Sequence, residues 1–278
     1  MKRLFKTTIL CLLIALPVFL LVDIGRYFFY PDVSLLKKNR PGKTAFMEHR
    51  EKVWRSKNIK KKIRVSWVPL SQISPYVMKA VIIAEDDKFW SHEGFDFEAM
   101  QKALEKNLDQ KKFKMGGSTI SQQLAKNLYL SPTKSPVRKV KEAILTWRIE
   151  RHLSKRRIME LYLNVAEWGD GLFGIGAAAR RYYGKSPAAL NAREAAALAA
   201  SLPSPQRFHP ASGSRYAARR AARIYQIMER RGIVIREYDE VVQETKEKEA
   251  AKEETAKEEK TSTEDTGLFQ LPEDFKIP

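Results

Sequence analysis

Residues 148–176, RIERHLSKRRIMELYLNVAEWGDGLFGIG, decide the fold class. Ser154 stands where a helix N-cap is expected, and Leu153 with Ile158 forms a hydrophobic staple across it. Ile158, Leu161, Tyr162 and Val165 then recur at helical spacing, which gives one core-facing stripe. Working outward, the same pattern runs from Ser74 onward. Ser74-Pro75 reads as an N-cap followed by a first-turn proline, and Thr119 and Asn191 mark further helix starts. Upstream, Ile63, Val65 and Trp67 alternate with polar residues, the pattern of one short strand. The chain is therefore expected to be mainly α.

Its 278 residues, 44% hydrophobic and 30% charged, can build a packed core. One cysteine excludes a disulfide framework and a cysteine-based zinc site, and the four histidines show no metal-ligand spacing. The net charge of +18 is uneven. Residues 237–278 carry 14 acidic and 6 basic side chains, while residues 1–236 carry 45 basic and 19 acidic. The basic body calls for an anionic partner: nucleic acid, a lipid surface or a phosphate-bearing substrate. The acidic segment is poor in large apolar residues and reads as disordered or as a solvated helix.

The N-terminus narrows that choice. Residues 7–22 are uncharged and rich in Leu, Ile and Val, and Phe5 and Ile24 extend the run towards the ~20 residues of a membrane span. Tyr27, Phe28, Phe29 and Tyr30 follow as an interfacial aromatic cluster. The run ends Phe19-Leu20-Leu21-Val22, without the small residues of a signal-peptide cleavage site, so an uncleaved anchor is expected. Flanking charge does not fix its orientation, because Lys2, Arg3 and Lys6 face Arg26, Lys37, Lys38 and Arg40. The expected divisions are 1–6 (N-terminus), 7–24 (anchor), 25–73 (membrane-proximal segment), 74–236 (main domain) and 237–278 (charged tail).

Three constellations carry chemistry. In residues 80–96, AVIIAEDDKFWSHEGFD, Met78, Val81, Ile82 and Phe89 form one stripe and Glu85 falls within it. A carboxylate on an apolar face has a raised pKa, which suits a general base, although a glutamate at a helix end can also swing to solvent. Asp86, His92 and Asp96 cluster around it and favour a site. In residues 116–130, GGSTISQQLAKNLYL, a glycine pair feeds a capping box of Thr119 and Gln122. With Lys126 two turns on, this is either an anion cradle or an ordinary capped helix. In residues 148–176, Glu160 lies off the core face with Arg156, Arg157 and Asn164, either as a solvated salt-bridge face or as a second carboxylate in a basic cleft.

EDDKFWSHEGFD, GGSTISQQLAKN and RRIMELYLN, in this order, resemble the signature motifs of the family 51 glycosyltransferases, the peptidoglycan polymerases. The resemblance covers residues 74–210, about half the chain. The anchor and EWGDGLFGIGAAARRYYGK most resemble the monofunctional biosynthetic transglycosylases of Gram-negative bacteria. Asp87 and Trp90 stand at variable positions, and Arg156-Arg157 is more basic than in many relatives. A lone SxxK match, Ser131 to Lys134, has no SxN or KTG partner, so no transpeptidase activity is expected.

The resemblance implies a lysozyme-like catalytic lobe and a smaller membrane-proximal lobe, supplied by part of residues 113–129 or by the stretch before Ser74. It implies polymerisation of lipid II into β-1,4 glycan with release of undecaprenyl diphosphate. Glu85 would be the base on the acceptor 4-hydroxyl, held by Asp86 and His92. Glu160 would be the second carboxylate, orienting the pyrophosphate end, with a divalent cation (Mg or Mn) as the one cofactor it could bind. Ser118, Thr119 and Gln122 would line the donor cleft. Lys126, Arg148 and Lys155 would neutralise the leaving group, and Phe89 and Asn127 fall within the matched motifs as substrate-binding residues. The implied partners are lipid II, the growing glycan, the membrane and the division or elongation machinery, with no nucleic acid. The implied location is the inner membrane, with the catalytic domain in the periplasm. The main rival is a lysozyme-like lytic enzyme, which would also use a buried glutamate.

Overall fold

The computed structural model describes residues 2–109 and 117–234. The expected loop residue Gly116 and the charged segment 237–278 lie outside the described residues. The chain divides into a main unit, Met1–Met228, and a C-terminal unit, Glu229–Pro278, of which 229–234 are described. The fold is mainly α, as the periodicity indicates.

The first helix, α1 (Lys2–Gly25), is followed by α2 (Ala45–Ser56), the short strand β1 (Arg64–Val65) and α3 (Pro75–Glu85). Among the described residues, one stretch near the N-terminus is long and apolar enough to cross a membrane. Leu13, Leu16, Phe19, Leu21 and Val22 on α1 are all exposed, so this helix finds no apolar cover within the protein. Phe28 meets Trp147 edge-on at 6.5 Å beside it.

After α4 (Phe97–Asp109), the central layer consists of α5 (Ile120–Tyr129), α6 (Pro136–His152) and α7 (Lys155–Val165). Thr119 caps α5 in a full capping box, and Ser154 caps α7 through the Arg157 N–H, both at the expected positions. Ser74 differs: its side chain makes no cap bond, and the first-turn proline starts α3 instead. Helix α5 packs against α6 and α7, burying Ile120, Leu124 and Leu128. Ile158, Leu161, Tyr162 and Val165 of α7 are buried as their spacing requires.

A hairpin of β2 (Glu167–Gly169) and β3 (Leu172–Phe173) leads into α8 (Ile175–Tyr183). The sheet order is β1-β3-β2, with β1 parallel and β2 antiparallel to β3. The expected strand is thus two residues long and forms the edge of a sheet whose other strands carry no alternation. Gly171, at φ +72°, turns the hairpin, and a Cβ there would stand 2.0 Å from the Trp54 ring. Arg50 of α2 grips Glu167 bidentately at 2.9 and 2.7 Å. Segments upstream of residue 74 are in this way bound into the main unit.

The chain closes with α9 (Ala192–Ser201), α10 (Pro205–Phe208) and α11 (Arg215–Arg230). Asn191 and Glu194 form the capping box of α9. Six alanines on α9 leave a thin face against which α3 packs. This packing fixes the C-terminal end of α3, where Glu85 sits.

Candidate active site

Glu85 is the last residue of α3, and its side chain is 12% exposed. Its Oε2 accepts from Gln123 Nε2 and its Oε1 from an Arg220 guanidinium nitrogen, each at 2.9 Å. Burial pushes its pKa above the ordinary carboxylate range, and the Gln123 bond and the Arg220 and Lys126 charges only partly oppose this. The C-terminal pole of α3 acts in the same direction as burial. The result is a carboxylate held in one orientation and poorly solvated, the condition for a base near neutrality.

Two supports fix that orientation. Tyr162 of α7 donates its hydroxyl to Gln123 Oε1 at 3.0 Å, which turns the amide so that its NH₂ faces Glu85. Burial, with the nearby Glu85 and Asp86 charges, holds the Tyr162 pKa well above 10, so the hydroxyl stays a donor. Arg220 of α11 also donates to the Ala84 carbonyl at 2.9 Å, tying the helix end down. Its Nε is buried without a hydrogen-bond partner.

Asp86 and His92 do not touch Glu85 but join the elements around it. Asp86 Oδ1 accepts from His92 Nε2 at 2.9 Å, and Asp86 Oδ2 accepts from the first α5 amide, Ile120 N, at 2.9 Å. The Gly94 amide donates to His92 Nδ1 at 3.0 Å, which assigns the imidazole proton to Nε2. Burial raises the Asp86 pKa in spite of these bonds. Thr119 donates to the Gly94 carbonyl at 2.7 Å, closing the loop onto α5. Gln122, 1% exposed, spends its side chain on the capping box. Phe89 is fully buried, reaching the core from the loop after α3 because the helix ends at Glu85.

A cleft of about 310 Å³ opens at this point, lined by Glu85, Asp86, Asp96, Glu98, Ser118 and Thr119 among others. Beside it stands a cationic group. Glu142, 2% exposed, accepts from Arg138 at 2.6 Å and Lys139 at 2.5 Å, and Lys139 also reaches Ser118 Oγ at 3.3 Å. Burial pushes the Lys126 pKa down, and Arg138 and Lys139 add to that, against Glu142 and Glu85. Three cations share one buried carboxylate, so the group carries excess positive charge suited to a phosphate.

The other expected residues are placed differently. Lys155 pairs with Glu150 at 2.7 Å and lies over the Phe89 ring at 4.7 Å, close enough to Asp86 to act on its charge. Asn127 is buried on α5. Arg148 does not reach the cleft: its guanidinium donates to the Tyr27 and Phe29 carbonyls, at 3.0 Å each, because these backbone acceptors after α1 need partners. Glu160 accepts from the Leu70 amide at 3.0 Å and from Arg157, which also donates to the Leu36 and Asn39 carbonyls at 2.8 Å. Tyr162 points to the Glu85 network, and Glu160, two residues earlier, lies roughly 200° around α7 from it. Among the described residues, no three His, Cys, Asp or Glu side chains could hold a metal ion. With both Glu160 oxygens already engaged, the residues present do not fit a divalent cation there.

Gln123, Tyr162, Arg138, Lys139 and Arg220 were absent from the sequence-derived site. Gln123 lies inside the second motif, where the capping pattern singles out its neighbour Gln122 instead. Arg220, 135 residues from Glu85, carries no local signal.

The transglycosylase family model matches residues 52–229. A protein of Nitrosospira multiformis named biosynthetic peptidoglycan transglycosylase is 50% identical over 185 residues, 66% of this chain and 80% of that one. Proteins of the same name from Azoarcus sp. (47% over 203 residues; 73% and 88%) and Aromatoleum aromaticum (53% over 178 residues; 64% and 77%) agree. The matched region takes in the Glu85 cleft, its Gln123 and Arg220 supports and the cationic group beside it, and the chain belongs to the peptidoglycan transglycosylase family.

Proposed function

We propose that this membrane-anchored peptidoglycan glycosyltransferase polymerises lipid II, a disaccharide-peptide on undecaprenyl pyrophosphate, into β-1,4 glycan, with Glu85 as the general base. The observation that carries the reading is the desolvated Glu85, clamped by Gln123 and Arg220 at the mouth of a cleft flanked by Lys126, Arg138 and Lys139. Glu85 takes the proton of the acceptor 4-hydroxyl as its oxygen bonds to the donor anomeric carbon. The bond from that carbon to the pyrophosphate oxygen breaks on the opposite face, and the electron pair leaves with undecaprenyl diphosphate. One displacement inverts the centre, so an α-linked donor yields a β link. Pyrophosphate is a good leaving group, so the cationic group is needed to meet growing negative charge more than to donate a proton. Asp86, His92 and Thr119 keep α3 and α5 in register, and Ser118 with Lys139 lines the donor side. Lys155 acts through Asp86, and Arg148 through the junction with the anchor.

The anchor places the cleft beside the lipid-linked donor. The reading locates the chain in the inner membrane with this domain on the periplasmic face, working with the division or elongation machinery. Incubation of the full chain in detergent micelles with labelled lipid II tests it. The expected product is polymer. Fragments released from preformed glycan, with no polymer, would point to a lytic enzyme and overturn it.

A further inference from the structure

Away from the Glu85 cleft, a second depression of about 690 Å³ is lined by Lys60, Lys62, Arg64, Arg181, Tyr182 and His209, among others. Its one carboxylate among the described residues, Asp170, is taken by Lys61 at 2.7 Å. Lys60, Lys62, Arg64 and Arg181 are exposed and have no ion-pair partner among the described residues. The wall is built rather than loose. Arg64 N donates to the Gly171 carbonyl at 2.9 Å, β1 pairs with β3, and Trp54 Nε1 donates to Asp170 at 3.3 Å. Four cations held on one concave surface without counter-charge repel one another and focus a positive potential into the groove.

An adjoining cavity of about 530 Å³ shares Tyr182 and His209 with the first. These two rings stack at 5.6 Å, and Phe208 meets Tyr216 at 4.6 Å nearby. Cationic wall and aromatic wall are thus continuous. Neither cavity shares a lining residue with the Glu85 cleft.

We propose that this double depression is an exosite for carboxylate-bearing glycan strands: sugar faces lie against the aromatic wall and the carboxylates of the peptide stems meet the free cations. The proposal rests on the proposed function, which makes such a strand the chain's own product. Concavity and the adjoining rings favour a strand over a flat layer of lipid headgroups, which would meet the charges alone. An exosite of this kind would keep the enzyme on the wall it extends by raising the local strand concentration.

The test uses the full chain in detergent micelles and purified, soluble, uncrosslinked peptidoglycan strands. Binding is measured across a salt titration for the wild type, for K60E/K62E/R181E and for the milder K60Q/K62Q/R181Q, with thermal melts to establish that each variant is folded. The expected result is at least an about tenfold loss of affinity for the reversed variant and a smaller loss for the neutral one. Both should show a shallower salt dependence and unchanged initial lipid II turnover. Strands with amidated stem carboxylates should bind the wild type about as weakly as native strands bind the neutral variant. Unchanged strand binding by both variants, or equal binding of amidated strands, would overturn the exosite. So would unchanged strand binding together with a turnover defect confined to vesicles containing phosphatidylglycerol, which would assign the patch to lipid headgroups. Wild-type lipid II turnover in the same micelles reports separately on the proposed function.

Discussion

Two glutamates from signature motifs meet opposite fates in this fold. Glu85 is buried with partners that compensate only part of its desolvation, and its pKa is raised. Glu160 is built into a joint: one oxygen holds the Leu70 amide, the other holds Arg157, and Arg157 in turn holds the carbonyls of Leu36 and Asn39. Next to it, Asn164 pairs with both the Val68 N–H and the Val68 carbonyl at 2.8 Å. Each carboxylate accepts two hydrogen bonds, one per oxygen, so donor number does not distinguish them; burial and the nature of the partners do. The comparison teaches that residue type, motif membership and donor count do not separate the roles expected of the two, whereas desolvation at Glu85 and the tie of Glu160 to a backbone amide and a carbonyl-bound arginine do.

The comparison breaks most easily at Glu85. Glu85→Gln keeps the size and most hydrogen bonding of the side chain, and kcat with lipid II should fall by ~10²–10⁴. The melting temperature should not fall with it. Because the folded-state pKa is raised, the native state prefers the protonated form and loses stability as pH rises from the ordinary glutamate range through the raised folded-state pKa. A neutral glutamine escapes that loss at neutral pH, so the variant should melt no lower than the wild type. A variant that both melts lower and polymerises normally would reverse the two roles.

Lys126→Ala tests the cationic group. Removing one cation from the leaving-group side should lower kcat by ~10² more than it changes KM. The depressed pKa of Lys126 also predicts that wild-type turnover declines on the alkaline side below the ordinary lysine range, as the ammonium deprotonates. An alkaline limb that persists unchanged in Lys126→Ala would assign it to another group.

Glu160→Ala should act chiefly on stability. It leaves the Leu70 amide and the Arg157 guanidinium short of an acceptor, at a cost of roughly 2–3 kcal/mol read as a lowered melting temperature. Turnover per folded molecule should fall less than in Glu85→Gln. A normal melt with abolished turnover would move Glu160 to the chemistry.

Arg220→Gln is the finest test. Losing the cation beside Glu85 raises the Glu85 pKa further, so the acid limb of kcat/KM, which requires the carboxylate, should move to higher pH. Arg220→Lys should restore part of the shift. The loss should be several-fold on the acid limb and smaller above it. An acid limb that stays in place would reduce Arg220 to a packing residue of α11.

The sequence by itself determined what local physics decides. The caps at Thr119, Ser154 and Asn191 are three-residue interactions, written in adjacent letters and found where expected. Helical periodicity set the buried faces of α5 and α7 and placed Glu85 on an apolar stripe, which already implied desolvation. The apolar run of α1 and the order of three long motifs needed no coordinates. Tertiary structure alone decided which partners each side chain found, because those choices cross the chain and follow no period. Arg220 reaches Glu85 over 135 residues, and Tyr162 reaches Gln123 over 39. Arg148 went to carbonyls left without partners after the anchor, and Glu160 to an amide 90 residues upstream. A buried polar group takes the nearest donor or acceptor that packing presents, and packing is a property of the whole fold.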